Sequence, residues 1–258
     1  MALALAAAEY GAGPPLAILH GLLGSGRNWA TMAQRLAVRH RVVAFDLRNH
    51  GVSPWAETMG YDEMAEDVRR AMAARGHRGF AAIGHSMGGK VAMTLALSDG
   101  AAVERLVVVD IAPVAYPLHH LDLVRQLRRL DLTQIARRRD TDEHLAATIP
   151  DAAERAFLLQ NLVFEDGKPA WRANLAAIER NMAALADFPA RPPETAYRGP
   201  ALFVAGMASD YVRAGDETTI ERLFPRAEIT RIDRAGHWLH AERPEAFLDI
   251  AGPFLAGR

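Results

Sequence analysis

The chain has 258 residues, half of them hydrophobic, with 30 basic and 31 acidic side chains and no cysteine. A net charge of −1 gives no electrostatic reason to bind nucleic acid or an anionic membrane. The missing cysteines exclude disulfides, thiol catalysis and Cys-ligated zinc, and the length suits one α/β domain or such a core carrying an insertion.

Residues 1–8 have some signal-peptide character, but no basic leader precedes them and the apolar run stops at Glu9. The pattern predicts a first β-strand there instead. No stretch approaches the ~18 apolar residues of a membrane span. Short apolar runs recur at 16–19, 42–45, 80–83, 106–109, 201–205 and 229–232, which suits strands buried on both faces. Helical patterns over 28–38, 61–75 and 90–97 follow the first three runs, and another covers 242–250. This alternation predicts an α/β fold, a mostly parallel sheet flanked by helices. Ligands of such sheets bind at the carboxyl ends of the strands, where this chain places His20, Asp46, Ser86, Asp110 and Ser209-Asp210.

Between 113 and 193 the rhythm breaks. Helical patterns cover 121–130, 152–163 and 171–185, bracketed by prolines at 113, 117, 189, 192 and 193. We read residues 1–112 and 194–258 as the core and 113–193 as an inserted helical cap over the mouth of the site. The alternative is that these helices pack on the sheet flank like any crossover. The segment carries Arg125, Arg128, Arg129 and Arg137-Arg138-Arg139, either an attraction for an anionic substrate or a solvated helix face.

Gly84-His85-Ser86-Met87-Gly88 lies between the run at 80–83 and the helical pattern at 90–97. Strand, tight turn and helix around G-x-S-x-G is the setting of a nucleophile elbow. A serine hydroxyl needs a base to take its proton. Of ten histidines, His237 follows a glycine just after the last strand-like run and is placed to swing over Ser86; His240 is its nearest rival. The acid that orients the histidine is Asp110 or Asp210, each following a strand-like run. The backbone N–H groups of Met87 and Leu22 are the expected oxyanion donors, Leu22 lying in the glycine-rich loop His20-Gly21-Leu22-Leu23-Gly24. That loop lacks the lysine-serine pair of a P-loop. His20, His85 and Asn49 are expected to brace these loops. His119-His120 and the His237/His240 pair have no carboxylates at ligand spacing, so neither metal nor cofactor is expected.

Three segments carry a family resemblance. Asp46-Leu47-Arg48-Asn49-His50-Gly51-Val52-Ser53-Pro54 is similar to a D-L-R-N-H-G-x-S-P segment, Val109-Asp110-Ile111-Ala112-Pro113-Val114 to V-D-I-A-P-V, and residues 84–90 to G-H-S-M-G-G-K. Together they resemble one esterase branch of the α/β-hydrolase superfamily. That branch includes small bacterial acyl-ester hydrolases and α/β-hydrolase domain-containing protein eleven. The superfamily resemblance covers nearly the whole chain, but in the cap Asn161, Trp171, Arg172 and Asn174 match the branch only loosely. It implies a cytoplasmic, cofactor-free serine esterase acting on small-molecule acyl esters or thioesters through an acyl-serine. It also implies Asp110 as the acid, since the more usual aspartate position of the superfamily here holds Ser209. Two other readings stay open. One is a different reaction on the same triad, a menaquinone-pathway type of lyase with its acid near Asp210 or a carbon–carbon bond hydrolase. The other is a non-catalytic ligand-binding protein on the same frame.

Overall fold

The computed structural model describes residues 2–258; Met1, at the start of the expected first strand, lies outside them. The chain runs β1 (Ala7–Tyr10), β2 (Pro15–Leu19), α1 (Ala30–Leu36), β3 (Arg41–Phe45), α2 (Tyr61–Ala74), β4 (Phe80–His85), α3 (Met87–Ser98) and β5 (Val103–Val109). It then leaves the sheet for α4 (His119–Arg129), α5 (Arg138–Leu145), α6 (Ala152–Leu158), β6 (Leu162–Glu165), β7 (Lys168–Trp171) and α7 (Leu175–Ala186). It returns through β8 (Ala201–Gly206), α8 (Glu217–Leu223), β9 (Ala227–Ile232), α9 (Leu239–Glu242) and α10 (Pro244–Leu255).

The main sheet has seven strands in the order β1-β3-β2-β4-β5-β8-β9. β1 pairs antiparallel with β3, and the remaining pairings in this sheet are parallel. Successive residues of a strand face opposite sides of the sheet. In β3, Val43 and Phe45 therefore join the core beneath α2, while Val42 and Ala44 join the core with Trp29, Met32 and Leu36 near α1. Helix α2 buries Tyr61, Met64, Ala65, Val68, Ala71 and Met72, a stripe at helical spacing that follows the Glu63 side chain's acceptance of the Gly60 N–H at 3.0 Å. Between β2 and β4 the connections diverge, one to each side of the sheet. A crevice opens at such a switch point, and here the His20 loop and the Ser86 turn border it.

The structure corrects three expected boundaries. The first strand is shorter and later than residues 1–8, because the N–H groups before it bond to side chains: Leu3 to Asp67 Oδ1 at 2.6 Å and Ala6 to Ser53 Oγ at 2.9 Å. The helix expected over 152–163 stops at Leu158, and β6 and β7 form an antiparallel hairpin. Its turn, Asp166-Gly167, has φ of 49° and 77°, the paired positive values of a type I′ hairpin turn. The last helix of the segment starts at Leu175, where the Asn174 side chain accepts from the Ala177 N–H at 3.1 Å. In α4 the fully buried residues are Val124 and Leu127; Leu123 is partly buried.

Candidate active site

Ser86 is the single residue between β4 and α3, with φ 52° and ψ −119°. Such a conformation costs about 1–3 kcal/mol and persists only where the surroundings enforce it. The Ser86 N–H donates to Val109 O at 3.0 Å, and its carbonyl accepts from the Lys90 N–H at 3.1 Å. A Cβ on Gly84 would stand 2.2 Å from Gly88 O, and one on Gly88 would stand 2.3 Å from Leu19 O. Neither site tolerates a side chain, so the two glycines are conditions for the turn. Met87 opens α3, and the first N–H groups of a helix have no acceptor within it.

Asp110 lies just past the end of β5, the strand beside β4, and is fully buried with φ 51°. Its Oδ1 accepts from the Gly206 N–H at 2.8 Å. Its Oδ2 accepts from Ser209 Oγ at 2.5 Å and from His237 Nδ1 at 2.7 Å. A carboxylate at Nδ1 makes that nitrogen the donor and leaves Nε2 as the atom able to take up a proton. The Tyr211 ring stacks on His237, 4.1 Å between centroids, and His85 Nε2 donates to the His237 carbonyl at 2.9 Å. Asp210 is exposed, and its carbonyl accepts from Arg213 Nε. His240 is stacked on Trp29 at 4.0 Å, and burial pushes it down to about 3. Ser86, His237 and His85 line one cavity, whereas Asp110 and His237 are bonded directly. The sequence places Ser209 at a strand end, but predicts neither its bond to Asp110 nor the Tyr211 ring on His237. The only hint was the serine in a place where the superfamily more often has aspartate.

Two neutral histidines brace the loops. His20 Nδ1 donates to Gly21 O at 2.7 Å, and its Nε2 accepts from the Leu47 N–H at 3.0 Å. His50 Nδ1 donates to Arg48 O at 2.9 Å, and its Nε2 accepts from the Leu23 N–H at 3.1 Å. Each loop thus lends an imidazole to the other. Burial holds His20 at about 4 and His50 at about 3, and desolvation pushes His85 well below its ordinary value. Asn49 reaches the other way. Its Oδ1 accepts from the Ala56 N–H and from Asn174 Nδ2, and its carbonyl accepts from the Asn174 N–H.

The cavity encloses about 860 Å³. Residues 113–193 contribute Leu123, Phe157, Leu158 and Val163 to its wall. A second space of about 50 Å³ touches Leu22, Ser86 and Met87. Of the six arginines singled out in the sequence, Arg125 and Arg128 pair with Glu179, Arg137 with Asp140 and Arg139 with Glu143. Arg138 lines the cavity.

Residues 14–244 match the model of the alpha/beta hydrolase fold family. The chain belongs to the α/β-hydrolase family. An α/β-hydrolase of Xenopus laevis, "sn-1-specific diacylglycerol lipase ABHD11", is 41% identical over 252 residues, covering 94% of this chain and 80% of the relative. "Esterase YbfF" of Escherichia coli (strain K12) is 32% identical over 242 residues, covering 93% and 92% of the two chains. The solved structure "Marine microorganism esterase" superposes with a TM-score of 0.95 at 36% identity, over 98% of this chain and 100% of that one. Among the described residues of this α/β-hydrolase, no helix is long and apolar enough to cross a membrane.

Proposed function

We propose that this α/β-hydrolase is a serine esterase that cleaves carboxylic esters or thioesters through an acyl-serine. The observation that carries the reading is the 2.7 Å bond between His237 Nδ1 and the buried Asp110, beside a serine at a strained elbow. His237 Nε2 takes the Ser86 proton as Oγ attacks the carbonyl carbon, and the N–H groups of Leu22 and Met87 receive the oxyanion. The intermediate collapses, and His237 passes the proton to the departing alcohol or thiol. His237 then deprotonates a water that attacks the acyl-serine, and returns that proton to Ser86 Oγ as the carboxylic acid leaves. Asp110 keeps the ring oriented and stabilises its protonated form; Ser209 and Gly206 hold Asp110 itself. Residues 113–193 act as the cap, since their side chains wall the cavity that holds Ser86 and His237. The relatives named as a lipase and as esterases support ester hydrolysis over other uses of the same fold.

Labelling with an alkyl fluorophosphonate tests the reading. Ser86 is expected to be the modified residue in folded protein, and Ser86→Ala to abolish the label. A label on another residue, or none on folded wild type, contradicts it.

A further inference from the structure

Two spaces meet at Ser86, and they differ in one respect that matters to the chemistry. The larger, about 860 Å³, is lined by His237; the smaller, about 50 Å³, is lined by Leu22, Ser86 and Met87 without His237. An aliphatic alcohol leaves only if it is protonated, and the proton comes from His237. The leaving group therefore lies in the large cavity. With the carbonyl oxygen turned to the Leu22 and Met87 N–H groups, the small space is what remains for the acyl tail.

The far wall of that space is the last turn of α7, with Met182, Leu185 and Ala186. A helix leaves its last carbonyls without partners. Here side chains of α2 and α3 and the backbone at Tyr116 supply them. Tyr61 OH donates to Leu185 O at 2.6 Å, and the Tyr116 N–H donates to Ala186 O at 2.9 Å. Lys90 Nζ donates to Ala186 O at 2.9 Å and Asp187 O at 2.7 Å, and sits 4.7 Å from the centre of the Tyr116 ring. An ammonium at a helix C-terminus is favourable in itself. The wall is thus pinned from the elbow helix and does not slide back for a longer chain. A single water takes up roughly 10–15 Å³ of such space.

Resting on the esterase reading above, we propose that the acyl half of the substrate is short, with roughly three to five heavy atoms beyond the carbonyl, and that the alcohol or thiol is the larger half. The pinned end of α7 sets the acyl limit, and the large cavity accepts the leaving group.

Two ester series test this. One holds the alcohol as benzyl and lengthens the acyl group from acetyl to decanoyl; the other holds butyryl and lengthens the alcohol from methyl to dodecyl. Aliphatic and benzyl alcohols are used because they need protonation, which makes a reversed pose unproductive. kcat/KM is expected to fall about tenfold or more between butyryl and decanoyl, and not to fall along the alcohol series. Met182→Ala, or Leu185→Ala if the first variant melts too low, is expected to raise decanoyl relative to butyryl turnover by about fivefold or more while leaving the alcohol profile unchanged. Serine-dependent turnover in the wild type that favours decanoyl over butyryl overturns the pocket assignment alone. So does a folded wall variant with an unaltered acyl profile. Hydrolysis of neither series overturns the esterase reading, and the pocket assignment with it.

Discussion

At the floor of the large cavity, Ser86 and His237, with Asp110 buried behind His237, are held by buried hydrogen bonds and by a turn that tolerates only glycine at positions 84 and 88. The wall built by residues 113–193 is attached differently. Asn161 Nδ2 donates to Leu23 O at 2.7 Å, Asn174 bonds Asn49, Trp55 Nε1 donates to Arg172 O, and Tyr61 and Lys90 hold the end of α7. Much of the remaining polar contact in that segment is surface ion pairing, such as Arg128 with Glu179 and Arg139 with Glu143. Exposed pairs of this kind contribute about 0–1 kcal/mol each. On the mechanism proposed above, proton transfer requires fixed distances, and these bonds would keep them. The wall needs to hold a shape, and a few ties to loop carbonyls suffice. Changes in the floor should therefore act on kcat, and changes in the wall on KM and on substrate choice.

Five substitutions and one titration would break or sharpen that contrast. Asp110→Asn is expected to lower kcat by on the order of 10⁴-fold by leaving His237 in the wrong tautomer, whereas Asp210→Asn should change it less than about twofold. Steady-state rates on a butyrate ester check both, and a large loss in the Asp210 variant alone would move the acid to the other loop. Ser209→Ala removes one of the three donors to Asp110, and kcat should fall about tenfold with KM unchanged. Equal losses in kcat and binding would show that Ser209 shapes the pocket instead. Asn161→Ala should raise KM about threefold to fivefold with little change in kcat, and lower stability by about 0.5–1.5 kcal/mol, as expected for one hydrogen bond.

Stability should also change with pH. His20 is held at about 4, and His50 and His240 at about 3, all below the ordinary 6.5. Between about 6.5 and 4 the unfolded chain binds protons that the folded chain does not. Stability therefore rises with pH across that window and is lost as the pH falls through it. Melting temperatures from pH 7 to pH 4 should decline, and His240→Phe should flatten the decline by one proton's share. A melting temperature independent of pH in this range would show that these imidazoles are not neutral by burial.

Much of the floor was legible in the sequence because its requirements are local. Gly84 and Gly88 mark a turn that admits no side chain at either position, and Gly236-His237 follows the last strand-like run. Asp110 and Asp210 stayed open on spacing, since each ends a strand-like run and spacing does not tell which carboxylate is buried. The strand order, with β5 directly beside β4, puts Asp110 at the elbow. Ser209 as a donor to Asp110 depends on two strands meeting, β5 and β8, nearly a hundred residues apart in the chain, and no short stretch encodes that. In the wall the hairpin has a local signal: Asp166-Gly167, flanked by Val163-Phe164 and Ala170-Trp171, marks a turn, although the helical periodicity of 152–163 runs into it. The sequence gives no sign of the Lys90 contact beyond the residue's place in the G-H-S-M-G-G-K segment. Burial of its ammonium under α7 pushes it down to about 7, a consequence of a tertiary contact nearly a hundred residues distant along the chain.

The most direct measurement is the initial rate of butyrate-ester hydrolysis for wild type and Ser86→Ala, with both shown to be folded by their melting curves. A serine esterase built on this elbow predicts measurable wild-type turnover and a loss of on the order of 10⁴-fold or more in kcat for the variant. A folded Ser86→Ala protein whose rate stays within about tenfold of wild type would contradict attack by Ser86 and the mechanism with it.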